Sequence, residues 1–126
     1  MQIDVPDVKA EVEAVFAAYE KALVANDVET LEALFWESDR TIRYGAGENL
    51  YGFEAIRAFR RARSPAGLER RLEETVITTF GRDFATASTL FRRDGQPGKV
   101  GRQMQSWARF PDGWRVVAAH VSVVDG

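Results

Sequence analysis

The second half of the chain constrains the fold most. Four segments, Arg71 to Phe80, Phe84 to Arg92, Lys99 to Phe110 and Trp114 to Val124, are rich in Thr, Val, Phe and Trp. Only Gly81-Arg82-Asp83, residues 94–98 and Pro111-Asp112-Gly113 separate them. Cβ-branched and aromatic residues suit a pleated, half-buried surface, and short Gly- and Asp-rich turns join strands to antiparallel neighbours. The pattern predicts a four-stranded antiparallel meander. A sheet of this length twists, and one of its faces has to be covered.

The first half supplies the cover. Between Val8 and Ala25, Val8, Val12, Val15, Phe16, Tyr19, Ala22 and Leu23 recur every three or four residues and form one stripe along a helix. Pro6 suits a first turn, with Asp4 or Asp7 as the capping residue. Asn26-Asp27 interrupts the run, and Asp27 caps a second helix, Val28 to Phe35, with Leu31, Leu34 and Phe35 turned inward. A short strand follows from Asp39 to Gly45, then a turn-rich stretch that Leu50 to Phe53 closes. Glu54 to Arg63 reads as a third helix. Its Ile56 and Phe59 face inward, Arg57, Arg60, Arg61 and Arg63 face outward or toward a site, and Pro65 ends it.

Helices first and strands afterwards define one α+β domain over residues 1–126, with helices packed on a curved antiparallel sheet. Such a sheet leaves a tapering, cone-shaped cavity, the usual place for a small ligand. The 17 basic and 19 acidic residues are spread along the chain, which leaves no electrostatic footprint for nucleic acid or an anionic membrane. With no cysteine and only His120, neither thiolate chemistry nor a multi-histidine metal site is expected, and no metal or other cofactor is called for. The acidic, periodic start is unlike a secretory signal, no apolar run spans a bilayer, and a cytoplasmic location is the default expectation.

The site candidates follow from strand and helix parity. In the first strand Thr41, Arg43 and Gly45 share one face, while Ile42 and Tyr44 share the other. If the first face lines the cavity, Arg43 presents a planar fork suited to a carboxylate; otherwise it is a surface arginine paired with an acid. Tyr19, on the apolar stripe, is either a core tyrosine or a phenol at the cavity edge that donates a proton or stabilises an oxyanion. In the last strand, Trp114, Val116, Ala118, His120 and Ser122 form a mixed set, and Val117, Ala119, Val121 and Val123 form a dry one. His120 and Ser122 are assigned to the cavity on this basis. The alternative is that the helices cover the dry set and the convex face carries the mixed one.

Across the ladder, a three-residue loop at 111–113 sets His120 opposite Met104 and Ser122 opposite Arg102. A two-residue turn at Asp112-Gly113 sets them opposite Gln105 and Gln103, so both glutamines are further binding candidates. The arginines at 57, 60, 61, 63, 70 and 71 read as a solvated face. Ser122 lies two residues from His120 on a strand and is no activated nucleophile, while Asp39 and Asp83 sit at turn edges, which disfavours isomerase-type proton abstraction.

Three stretches, Arg43 to Ile56, Gly101 to Trp107 and Phe110 to Ser122, resemble the AtzH-like, DUF3225 family of the NTF2-like, SnoaL-like superfamily. Members of that family include an oxalurate catabolism protein and a decarboxylating amidohydrolase of cyanuric acid breakdown. The resemblance implies a cofactor-free amidohydrolase acting on an N-carboxylated urea or related ureide, such as 1,3-dicarboxyurea, with loss of carbon dioxide. It also implies catalytic roles for Tyr19 and Arg43, a small anionic substrate and a homodimer. Met104 departs from the small polar residue expected there and is read as altering the cavity lining. The alternative function is a non-catalytic ligand-binding or accessory subunit of a larger amidase, and a third is a partner-binding transport factor.

Overall fold

A computed structural model covering residues 1–126 shows three helices against one six-stranded sheet. The helices are α1 (Pro6–Ala25), α2 (Val28–Ala33) and α3 (Phe53–Ala62). The strands are β1 (Ile42–Tyr44), β2 (Asn49–Tyr51), β3 (Arg71–Phe80), β4 (Phe84–Arg92), β5 (Lys99–Phe110) and β6 (Gly113–Asp125), in the spatial order β2-β1-β6-β5-β4-β3. The meander of β3 to β6 is antiparallel as expected. The complete sheet is mixed, because β1 runs parallel to β6, and residues 49–51 form a paired strand where the sequence suggested only a loop closure. No helix is long and apolar enough to cross a membrane.

α1 buries the stripe Val8, Val12, Phe16, Tyr19, Ala22 and Leu23. Facing it are Trp107, Trp114 and Val116 together with Ala85, Ala87 and Ala119, whose small side chains let the helix come close to the sheet. Asn26 ends α1 in the left-handed conformation that asparagine tolerates, and Asp27 caps α2 by accepting from the Thr30 amide at 3.2 Å. Neither Asp4 nor Asp7 caps α1, whose first turn starts at Val5 without a side-chain acceptor. Asp4 instead accepts from the Thr79 amide at 2.9 Å, so the N-terminal segment lies along the outer edge of β3, and Asp7 pairs with Arg82 at 2.6 Å. Covering a sheet edge in this way removes a surface on which other strands could add.

Two register shifts shape the sheet. One, in β3, falls between Glu73 and Val76, where the Thr89 hydroxyl donates to the Glu73 carbonyl at 3.1 Å. The other lies in β6, where Ser106 pairs with Ala118 but Trp107 pairs with Val116, leaving Val117 as the extra residue. A bulge of this kind reverses which side chains face the core beyond it.

At the wide end of the cone, Phe91 pairs with Gly101 across β4 and β5. A Cβ at position 101 would stand 2.1 Å from the Phe91 ring, so only glycine leaves room for it. Phe91 is 2% exposed, and it could move off position 101 only by swinging toward the cavity it lines, at the cost of its contacts with Arg70 and Arg93. Gly101→Ala is therefore expected to destabilise the fold by about 1–3 kcal/mol through overpacking, read as a lower denaturant midpoint with an unchanged m-value.

Candidate active site

The open end of the cone holds a cavity of about 780 Å³, a volume suited to a small molecule. Its walls come from the C-terminal half of α1 (Tyr19, Leu23), from β1 and the following turn (Arg43, Glu48), and from the end of α3 (Phe59, Arg63). The segment leading into β3 (Arg70), the end of β4 (Phe91, Arg93) and the inner face of β5 and β6 (Gln103, Val121, Val123) complete it.

Arg43 sits on the inward face of β1, as the strand alternation requires, and is 6% exposed. The ladder fixes it between Leu50 of β2 and Ala119 of β6. Its Nη1 donates to Glu48 Oε1 at 3.0 Å, its Cζ lies 5.4 Å from the centre of the Phe59 ring, and its Nε has no partner. Gly45 makes the pair with Glu48 geometrically possible, since a Cβ there would fall 1.7 Å from the Glu48 carboxylate oxygen. The guanidinium thus already holds one carboxylate through Nη1 and leaves its Nε free.

Tyr19 is 2% exposed and lines the same cavity. Its ring is edge-on to Trp107, with centroids 6.5 Å apart, and tilted against Phe35 at 6.2 Å. Burial pushes the phenol up, but the charges of Arg60 and Arg43, with a contribution from Arg70, pull it below its ordinary range.

The arginines near α3 do not form a solvated face. Only Arg57, Arg61 and Arg71 behave that way: the first two pair with Glu32 and the third with Asp94. Arg60 is 1% exposed, its Cζ lies 4.8 Å from the Phe35 centroid and 5.9 Å from that of Tyr19, and none of its three nitrogens has a hydrogen-bond partner. Arg63 and Arg70 line the cavity. Arg70 is held on one wall by Glu20, through Nε at 3.0 Å and a second contact at Nη2, and by Gln103 Oε1 at 2.9 Å. The spacing Ile56, Phe59, Arg60, Arg63 is itself i, i+3, i+4, i+7, so two of these arginines lay on the inward stripe of α3 from the start.

The glutamines and the His120 pair separate. Gln103 lines the cavity beside Arg70, whereas Gln105 lies deeper in the core and accepts from the Trp107 indole at 3.1 Å. His120 and Ser122 do not face the cavity. The bulge at Val117 turns Ala119, Val121 and Val123 inward and puts His120 and Ser122 on the outer surface. There His120 packs edge-on to Tyr44 at 6.0 Å, and Ser122 accepts from Arg102 Nε at 3.1 Å. His120 stands opposite Met104, the register expected from a three-residue loop, but it arises from a two-residue turn at Pro111-Asp112 combined with the bulge. Met104 is 62% exposed on that outer face and does not shape the cavity lining.

A buried guanidinium with no partner is costly, because its desolvation is not repaid. Arg60→Met keeps the volume and removes the charge. It is expected to raise stability by about 1–4 kcal/mol, measured by denaturant unfolding, while moving the Tyr19 phenol back up. An unchanged or lowered stability would show that Arg60 is held by an interaction other than the two rings.

A helix-covered cone with a polar cavity at its open end is the architecture of NTF2-like proteins. Over 92% of this chain and 86% of the other, it superposes with a TM-score of 0.78 on the NTF2-like protein from Pseudomonas putida KT2440, with 18% identity, a likeness of fold. Within that class the chain belongs to the AtzH-like family, whose sequence profile matches residues 1–126. A DUF3225-family protein of unknown function from Pectobacterium atrosepticum SCRI1043 is 59% identical, with a TM-score of 0.95 over 98% of this chain and 95% of that one. A cystatin-like fold protein from Burkholderia xenovorans LB400 is 52% identical, with a TM-score of 0.96 over 100% and 98%. No curated protein matches the chain.

Proposed function

We propose that the cavity binds a small carboxylated urea, of which 1,3-dicarboxyurea is the type, and cleaves it with loss of carbon dioxide. The observation that carries this reading is the placement of Arg43 and Tyr19 on one cavity whose guanidiniums outnumber its carboxylates. Such a lining favours an anionic guest although the whole chain carries a net charge of -2.

In this reading one substrate carboxylate displaces Glu48 from Arg43 and is held by the guanidinium fork. The bond that breaks joins a carboxylate carbon to a urea nitrogen. Its electron pair goes to nitrogen, the Tyr19 hydroxyl delivers a proton there, and carbon dioxide leaves. The dianion plus one proton thus yields allophanate and carbon dioxide, and solvent reprotonates the phenolate. Arg60 and Arg43 stabilise that phenolate as it forms, which lowers the barrier to giving up the proton.

The test is product formation by the purified chain alone from 1,3-dicarboxyurea, with oxalurate offered in parallel. Carbon dioxide release well above the spontaneous rate is expected. Ligand-dependent thermal stabilisation without product would instead make the chain a binding module or accessory subunit.

A further inference from the structure

Beyond Arg43, the cavity carries a second set of guanidinium groups with free hydrogen-bonding capacity. Two phenylalanines each support a pair of arginines. Phe59 has the Cζ of Arg43 at 5.4 Å and that of Arg63 at 5.9 Å from its ring centre. Phe91 has Arg70 at 4.4 Å and Arg93 at 4.9 Å. One member of each pair is committed within the protein, Arg43 to Glu48 and Arg70 to Glu20 and Gln103. The other members are not: Arg63 Nε and Nη2 and Arg93 Nε are buried without any partner, on residues that line the cavity. Stacking on a ring face fixes a guanidinium's position while leaving its N–H edge free for an anion.

From this pairing we infer that Arg63 and Arg93 form a second anion subsite, separate from Arg43, which selects ligands carrying two carboxylates over those carrying one. Because Arg43 and Arg63 share the Phe59 ring, one small molecule can reach both. The desolvation of these groups agrees: burial, with the charges of Arg60 and Arg43, pushes Arg63 down to about 10, and burial lowers Arg93. Both remain cationic near neutrality, and an incoming carboxylate offsets the repulsion each feels, Arg63 chiefly from Arg60 and Arg43 and Arg93 from Arg70. The inference rests on the cavity being a carboxylate site, but it concerns selection between ligands rather than cleavage.

Glutarate is the probe, since three atoms separate its carboxyl carbons as in 1,3-dicarboxyurea, and monomethyl glutarate has the same frame with one charge removed. Both are titrated calorimetrically into the wild-type chain and into Arg63→Met and Arg93→Met, with 1,3-dicarboxyurea turnover followed in parallel. The wild type is expected to prefer glutarate by about tenfold to a hundredfold, the range of one charge-assisted hydrogen-bonding contact. In both variants the preference collapses to within about threefold while monomethyl glutarate binds as before. Equal binding of the two probes by the wild type, binding of neither, or a preference surviving in both variants overturns the inference. Turnover with no preference removes the second subsite and leaves the proposed reaction. A preference lost in the variants without turnover in the wild type removes the reaction and leaves the subsite.

Discussion

Replacing Arg43 with methionine is expected to reduce turnover of 1,3-dicarboxyurea by about a hundredfold or more and to weaken glutarate binding by about a hundredfold, while the fold survives. Truncating one partner of a buried, hydrogen-bonded charge pair costs about 2–5 kcal/mol in binding, because the other charge is left without its partner in a low-dielectric site. The fold is spared because Glu48, whose side chain is 24% exposed, can turn to water once Arg43 is gone. Arg43→Lys should recover only part of the loss, since an ammonium cannot reproduce the planar fork. Steady-state kinetics beside a thermal melt decides the matter. Full activity in Arg43→Met would remove the guanidinium from the reaction.

Tyr19→Phe is the second large effect, and it should divide differently. The phenol is assigned to proton delivery, so its loss is expected to lower kcat by about a hundredfold to ten-thousandfold and leave KM within a few-fold. The wild-type pH profile has a definite sign. The proposed reaction needs the protonated phenol, so kcat is expected to fall as pH rises through the Tyr19 pKa, which lies below the ordinary tyrosine value because the Arg60 and Arg43 charges outweigh burial. Tyr44 titrates later, its phenol pushed up by the hydrogen bond to Tyr51. A phenolate absorbance that appears below the ordinary tyrosine range should therefore vanish in Tyr19→Phe, and the alkaline limb of kcat should move to higher pH in Arg60→Met. The same depressed pKa makes folding more favourable as pH rises from the folded Tyr19 value toward the unfolded one, and that contribution disappears below the folded value.

Parity made part of this site legible, and a single inserted residue hid the rest. Arg43 follows from two-residue alternation in a strand too short to contain a bulge, and Tyr19 follows from the apolar stripe of α1. Both arguments are local, and nothing along β1 or α1 interrupts them. His120 and Ser122 were assigned by counting along β6 from Trp114. Val117 is an extra residue in that count, so each side chain beyond it faces the other way. No glycine or proline marks the bulge in the sequence.

The arginines of α3 failed for a different reason. Charge argued for solvent, while position on the Ile56 and Phe59 stripe argued for the interior, and position won because aromatic faces were there to receive the charge. The parallel pairing of β1 with β6 was hidden too, since it is a long-range contact between a three-residue strand and the chain's last one.

A crystal of the purified protein grown with glutarate tests the central claim most directly. The account predicts a carboxylate in bidentate contact with the Arg43 guanidinium, Glu48 rotated off it, and the Tyr19 hydroxyl facing the bound molecule. Glu48 still seated on Arg43, with glutarate bound elsewhere or nowhere, would contradict it.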